Sequence, residues 1–275
     1  MFRFLKRFVG WSLRSVIVLF LLSSCSGSAN EIILERQAYS LEQGVPVVVR
    51  VYDGRIAITN SDSGEVLLSG SASLADPNQI LTALATDGLF ITAHDPTSSV
   101  TIDLQVPPGT QVKIDTYGAD VIATDFAGGL DVTSTAGDIT ISNMEGQAVL
   151  RANRGDVAVE SSRGEFHLPG NYGLLSLTDV SGVVEASTIM GTIRYRGQVA
   201  ASDRVKLETD HGPVEAWLDP RSDVTVVVKT TTGVTDCVIP GLSPDGAGCK
   251  GQLGNGEGVF QVRTVSGEVD LKPTP

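Results

Sequence analysis

Residues 130–147 read LDVTSTAGDITISNMEGQ, and the eighteen residues on either side keep the same frame: VKIDTYGADVIATDFAGG before, AVLRANRGDVAVESSRGE after. Ile114, Val132, Leu150, Leu168 and Ala186 share one phase of this period, and Gly137, Gly155, Gly173 and Gly191 share a second. Gly128, Gly146, Gly164 and Gly182 form a third set, half a period earlier. Asp120, Asp138 and Asp156 repeat as well, each followed by an apolar residue. A fixed internal period of this length indicates a stacked repeat architecture and outranks local propensity.

Each period divides into two arms. Leu130 to Ser134 and Ile139 to Ser142 both place apolar residues at alternate positions, with turns at Ala136-Gly137-Asp138 and Glu145-Gly146. Alternation with period two buries one face of a strand and leaves the other in water. Glycine at a corner permits positive φ, and the aspartate after it can accept backbone hydrogen bonds. One arm cannot bury its apolar face alone. Coils stacked about 4.8 Å apart pair every backbone and align Val, Ile and Leu inside. The fold class expected is therefore all-β: a single-chain β-solenoid, or β-helix, with a right-handed coil.

The register loosens after Gly191. Leu207 with Gly212, Val214 and Ala216 makes a longer coil, as does Val228 with Gly233, and Val262 to Leu271 restores the pattern as a last coil. Residues 107–271 thus hold eight coils, and 272–275 form a proline-bearing tail. A β-rich head region, 45–106, precedes them without the regular period. Within it, Val47, Val49 and Val51 alternate with their neighbours, and Asp53-Gly54 leads into Arg55 to Thr59, which reads as a hairpin. Pro77 to Ala85 reads as one or two helical turns, Gly88 to His94 and Val100 to Val106 as strands, and Ile32-Ile33-Leu34 as a first strand. Pro107-Pro108-Gly109 breaks the chain before the repeats.

The N-terminus carries Arg3, Lys6, Arg7 and Arg14 around a short apolar run that ends in Leu22-Ser23-Ser24-Cys25. The run is too short to span a bilayer and fits a signal peptide over 1–24. The ending resembles the lipobox of bacterial lipoproteins. That resemblance implies lipidation at Cys25, cleavage just before it, and a tether over 25–44. Removing 1–24 takes away four basic residues and no acidic one, moving the formal charge from −12 to −16. So acidic a chain repels phosphate backbones and is no nucleic-acid binder. With Cys25 lipidated, Cys237 and Cys249 remain as an even pair, which outside the cytoplasm reads as a disulfide. They lack the CxxC spacing of redox or metal thiols.

Chemistry-bearing patterns are sparse. Asp120, Asp138 and Asp156 should stack on one edge, where they could offer carboxylates to a cation or simply cap turns. Turn capping is the reading favoured, because the denser GGxGxDxUx motif of calcium β-rolls is missing. His94, His167 and His211 lie in different segments, none with a second histidine at ligand spacing. No GxSxG, HExxH or P-loop pattern occurs. Asp131, Glu160 and Glu165 could line a cleft of a polysaccharide-cleaving β-helix, yet their spacing does not single them out. Tyr195 falls at an inward position, and Trp217, one residue out of that phase, is expected at the surface.

Val106-Pro107-Pro108-Gly109, followed by repeated Gly-Asp-Val/Ile-x-Val/Ile units, resembles the toastrack, or adhesin-like, β-repeat family of bacterial envelope proteins, over roughly 45–271. The resemblance implies a β-solenoid displayed at the cell envelope, with no catalytic motif and no cofactor. Some members are thought to accompany envelope-stress systems. Leu174, Thr192 and Pro213 stand where the pattern has Asp. The expected function is that of a non-enzymatic lipoprotein, anchored in a bacterial membrane outside the cytoplasm. It would bind an envelope protein, a polysaccharide or another copy of itself. An envelope-stress sensor or scaffold is the alternative, and a carbohydrate-active β-helix enzyme the third reading.

Overall fold

The computed structural model describes residues 31–73, 80–93 and 96–274. The signal peptide, Cys25, the start of the tether and His94 lie outside the described residues. The first strands are β1 (Glu31–Tyr39), β2 (Val47–Val51), β3 (Gly54–Asn60), β4 (Val66–Ser73), β5 (Ile80–Ala85), β6 (Gly88–Ala93) and β7 (Ser99–Val106). The regular repeats follow as β8 (Gln111–Thr116), β9 (Asp120–Thr124), β10 (Ala127–Ser134), β11 (Ile139–Ser142), β12 (Glu145–Ala152) and β13 (Val157–Glu160). They continue as β14 (Arg163–Pro169), β15 (Leu174–Thr178), β16 (Ser181–Thr188), β17 (Thr192–Gly197), β18 (Arg204–Thr209) and β19 (Val214–Leu218). The chain closes with β20 (Val224–Thr230), β21 (Thr235–Cys237), β22 (Leu242–Asp245), β23 (Gly248–Leu253), β24 (Gly258–Thr264) and β25 (Val269–Pro273).

These strands form two sheets, face to face. The first runs β1-β4-β7-β3-β9-β11-β13-β15-β17-β19-β25-β21, and the second runs β22-β23-β20-β24-β18-β16-β14-β12-β10-β8-β2-β6-β5. From β8 to β19 each coil gives one arm to each sheet, and successive coils pair in parallel. Val132 lies between Ile114 and Leu150 in the ladder, and all three are fully buried. On the facing sheet Val121, Ile139, Val157, Leu175, Ile193 and Val214 stack the same way. Each such side chain removed from water contributes about 1.5–3 kcal/mol. The narrow interior between the sheets is the hydrophobic core.

The corners are closed by side chains at the same period. After the first arm, the hydroxyls of Thr116, Ser134, Thr188, Thr209, Thr230 and Thr264 each accept the amide three residues on. After the second arm, Asp125, Asn143, Ser161 and Asp179 adopt positive φ, between 47° and 53°. The Asn143 amide donates to Asp125 at 3.0 Å, linking coils at this corner. Gly137 does not have the positive φ expected of it. A Cβ there would lie 2.1 Å from the Ala119 carbonyl oxygen of the previous coil, so close stacking is what requires glycine. Gly146 combines both constraints, with φ of 140° and the Gly128 carbonyl oxygen 2.1 Å from a would-be Cβ.

The head region is built into the same two sheets. β2 lies between β8 and β6, and β3 between β9 and β7, so residues 47–106 add two more coils to the eight. Asp53-Gly54 is accordingly a solenoid corner and no hairpin: β2 and β3 belong to opposite sheets. Ile80–Ala85 is a strand, antiparallel to β6, and not a helical turn. Ile80 and Thr82 are β-branched and favour the extended pairing that the β6 edge offers.

Coil order departs from chain order at both ends. β6 and β7 sit outside β2 and β3, while β24 and β25 slot between the β18/β19 coil and the β20/β21 coil. The last repeat of the sequence is therefore not the last coil of the solenoid. Antiparallel strands close each end: β4 then β1 on one sheet and β5 on the other at the N-terminal end, β23 then β22 at the C-terminal end.

Candidate functional site: the two outer faces

Parallel stacking turns every outward position into a column along the solenoid. On the second sheet these columns are charged and cross-linked. Arg151 meets Asp131 at 2.6 Å, Arg50 meets Asp115 at 3.6 Å and Lys206 meets Glu208 at 2.9 Å. His167 lies 3.3 Å from Glu185, and Gln147 donates to Glu165 at 3.2 Å. Exposed pairs of this kind add little stability and mark a solvated surface.

The first sheet is different over β3, β9, β11, β13 and β15. Its outward column there reads Ala57, Ile122, Thr140, Ala158 and Ser176. The neighbouring column reads Thr124, Ser142, Glu160 and Thr178. Glu160 carries the charge among these nine. The result is a field of mostly small side chains about 20 Å long across the strands, given the ordinary strand spacing, bordered on one side by the exposed Arg55, Asp120, Asp138 and Asp156. Ser142 and Thr124 hydrogen-bond to each other at 3.3 Å along it. Charge returns beyond β15: Arg194 pairs with Glu215 at 2.8 Å and Lys272 with Asp270 at 2.6 Å. The Asp270 carboxylate raises the Lys272 ammonium pKa above its ordinary value.

The residues singled out from the sequence do not converge. Asp131 and Glu165 face outward on the second sheet while Glu160 faces outward on the first, so the three line no common cleft. His167 lies on β14, and His211 sits at a corner with its Nδ1 2.8 Å from the Ser266 hydroxyl. No group of three or more His, Cys, Asp or Glu residues is placed to hold a metal among the described residues. Tyr195 is buried and tilts against Phe260 of the opposite sheet, 5.3 Å between ring centres. Trp217 faces outward between Arg196 and Lys272 but is half-buried by its ladder neighbours, not freely exposed.

Asp120, Asp138 and Asp156 do stack along one edge, and they are engaged in capping. Asp120 accepts the Asp138 amide at 3.0 Å, Asp138 the Asp156 amide at 2.8 Å and Asp156 the Leu174 amide at 2.7 Å. The ladder stops at Leu174, where the sequence loses its aspartate. Cys237 and Cys249 form a disulfide that joins β21 of the first sheet to β23 of the second. Beside it lies a cleft of about 480 Å³, lined by Val234, Leu242, Pro244 and both cysteines. Among the described residues that line this cleft none is charged, so they offer few of the convergent polar groups that orient a small ligand.

The flat field and the hydroxyl caps were missed from the sequence. Their signal lies in the outward positions of the second arm, Ile122-Thr124, Thr140-Ser142 and Ser176-Thr178, and in the hydroxyl residue three before Gly137, Gly191, Gly212, Gly233 and Gly267.

No curated protein matches the sequence. The fold is similar to the crystal structure of a "putative adhesin" from Bacteroides fragilis, at 14% identity and a TM-score of 0.52, covering 89% of this chain and 98% of that one. A "putative lipid binding protein" from Parabacteroides distasonis aligns at 10% identity and a TM-score of 0.46, covering 89% of this chain and 98% of that one. The Toastrack DUF4097 family matches residues 46–272, and the chain belongs to that family.

Proposed function

We propose that this protein is a non-enzymatic lipoprotein of the bacterial cell envelope, which uses its solenoid as a binding surface outside the cytoplasm. The observation that carries the binding role is the contrast between the two outer faces. Ion pairs lace the second sheet, whereas the first sheet presents over β3 to β15 two adjoining columns whose one charge is Glu160, bordered by the Asp120, Asp138 and Asp156 edge. Depletion of charge is what distinguishes the centre of an interface from ordinary surface. A flat, hydroxyl-bearing field suits a partner that is itself extended and flat, such as a strand edge-on or a polysaccharide chain. Leu22-Ser23-Ser24-Cys25 supports the anchor, and the disulfide fits an oxidising compartment.

The test uses immobilised protein and envelope fractions from the source cells. A double variant, Thr140→Lys with Ala158→Lys, places two charges in the field, while Gln147→Lys places one on the opposite face. Retention of the bound fraction should fall at least tenfold for the double variant and stay unchanged for Gln147→Lys. Equal retention by all three proteins refutes the assignment of the binding face.

A further inference from the structure

We propose that the N-terminal end of the solenoid is a membrane-docking surface that rests edge-on against the bilayer. This deepens the reading of Cys25 as a lipidated anchor and rests on it. Two terminal strands, β1 on the first sheet and β5 on the second, form that end. Three large apolar side chains project there into water: Ile33 is 68% exposed, Leu81 63% and Leu84 47%. β5 reads ILTALA and carries no charge. An uncharged edge strand is a liability that soluble proteins blunt with charge, proline or a covering element; β5 has none of these within it, while β1 carries Glu35 and Arg36. The opposite end is blunted. Its terminal strands β21 and β22 have three and four residues, Pro240 and Pro244 lie beside them, and the disulfide ties the sheets together.

The tether selects the occupant. Five residues separate Cys25 from Glu31, the first residue of β1. Fully extended, the six steps from Cys25 to Glu31 span about 22 Å at most. A lipid on Cys25 therefore holds β1 against the headgroups, at the end where Ile33, Leu81 and Leu84 are exposed. The unpaired amides and carbonyls of the outer edges stay in the hydrated headgroup region, since hydrocarbon cannot satisfy them. Ile33 and Leu81 project from the outer faces of opposite sheets and flank the edge, where they lie at the headgroup–acyl boundary as an interfacial apolar face does. The ten coils then rise about 48 Å from the surface at ordinary strand spacing, with the flat field of the first sheet held upright.

The experiment reconstitutes the full lipidated chain in vesicles of phosphatidylcholine and phosphatidylglycerol. Single cysteines at Ile33→Cys, Leu81→Cys and Val265→Cys carry an environment-sensitive dye. Val265 is apolar and exposed too, but lies on the far coil between β24 and β25. Lipids brominated at a shallow acyl position should quench the dyes at 33 and 81 several-fold more than the dye at 265. Equal quenching at all three positions, in protein that sediments with the vesicles, overturns the docking while leaving the anchor intact. Protein that fails to sediment refutes the anchor and the docking together. A blue-shifted dye at 81 that bromolipid does not quench shows that a second copy covers the edge, and also overturns the proposal.

Discussion

The backbone amide of Asp138 donates to the carboxylate of Asp120 across 3.0 Å, one full coil away, and the Asp156 amide does the same to Asp138 at 2.8 Å. Each exposed carboxylate thus ties its coil to the next. The ladder holds three like charges at strand spacing, and the amides it accepts offset their repulsion. Replacing Asp138 with alanine removes one inter-coil bond at the surface and should cost about 1 kcal/mol. A cation site would behave differently, because a bound ion stabilises the folded state by mass action. Thermal melting in millimolar calcium and in chelator should coincide for the wild type. A melting point several degrees higher in calcium, lost in Asp138→Ala, would establish a metal ladder instead.

Gly137 separates two reasons for glycine at a corner. Its φ is ordinary, but a Cβ would meet the Ala119 carbonyl oxygen at 2.1 Å. Gly109 is the converse: its φ is 83°, with open space where a Cβ would go. Gly109→Ala should cost about 1–2 kcal/mol, the usual expense of a side chain in the left-handed region. Gly137→Ala must instead push two coils apart and break ladder bonds on both sides. It should cost at least twice as much in urea unfolding. Similar losses for the two variants would return the explanation to backbone φ.

How much of this was legible can be traced to particular residues. The frame that places Val132 beside Ile114 and Leu150 repeats in the chain itself, so the core and the register of the regular coils followed from it. Asp53-Gly54 misled because a turn signal specifies a local bend and not whether the flanking strands pair. Here the bend carries the chain from one sheet to the other. The insertion of β24 and β25 between earlier coils is a long-range choice among near-equivalent ladders, and no local residue encodes it. The field of Ile122, Thr140, Ala158 and Ser176 lies in the outward half of the alternation. It could have been read by asking of those positions what was asked of the inward ones.

Tyr195 buries its hydroxyl in the core with no hydrogen-bond partner. Burial, reinforced by the charges of Asp203 and Asp179, pushes its pKa well above the ordinary tyrosine value. A buried hydroxyl without a partner loses its hydration uncompensated. Tyr195→Phe keeps the ring against Phe260 and removes that penalty. The variant should be more stable by about 1 kcal/mol, read as a higher urea midpoint with an unchanged slope. A loss of stability would mean that the hydroxyl is satisfied by an ordered water, whose bonds the phenylalanine forfeits.

The disulfide offers the sharpest test of how stability is distributed along the solenoid. Cys237 and Cys249 close a loop with a sequence separation of 12 and join β21, the terminal strand of the first sheet, to β23, next to last in the second. Cross-linking a loop of that size stabilises by about 3 kcal/mol in the chain-entropy description. In a stacked repeat each coil contacts only its neighbours, so the loss should stay near the end that was tied. In Cys237→Ser with Cys249→Ser, amide exchange should accelerate at Val226 and Val228, whose strand pairs with β23, and at position 237 on β21. Ile114, Val132 and Leu150 should keep wild-type protection. Uniform loss of protection along all ten coils would show that the solenoid unfolds as one cooperative unit, with the C-terminal staple setting the stability of the whole.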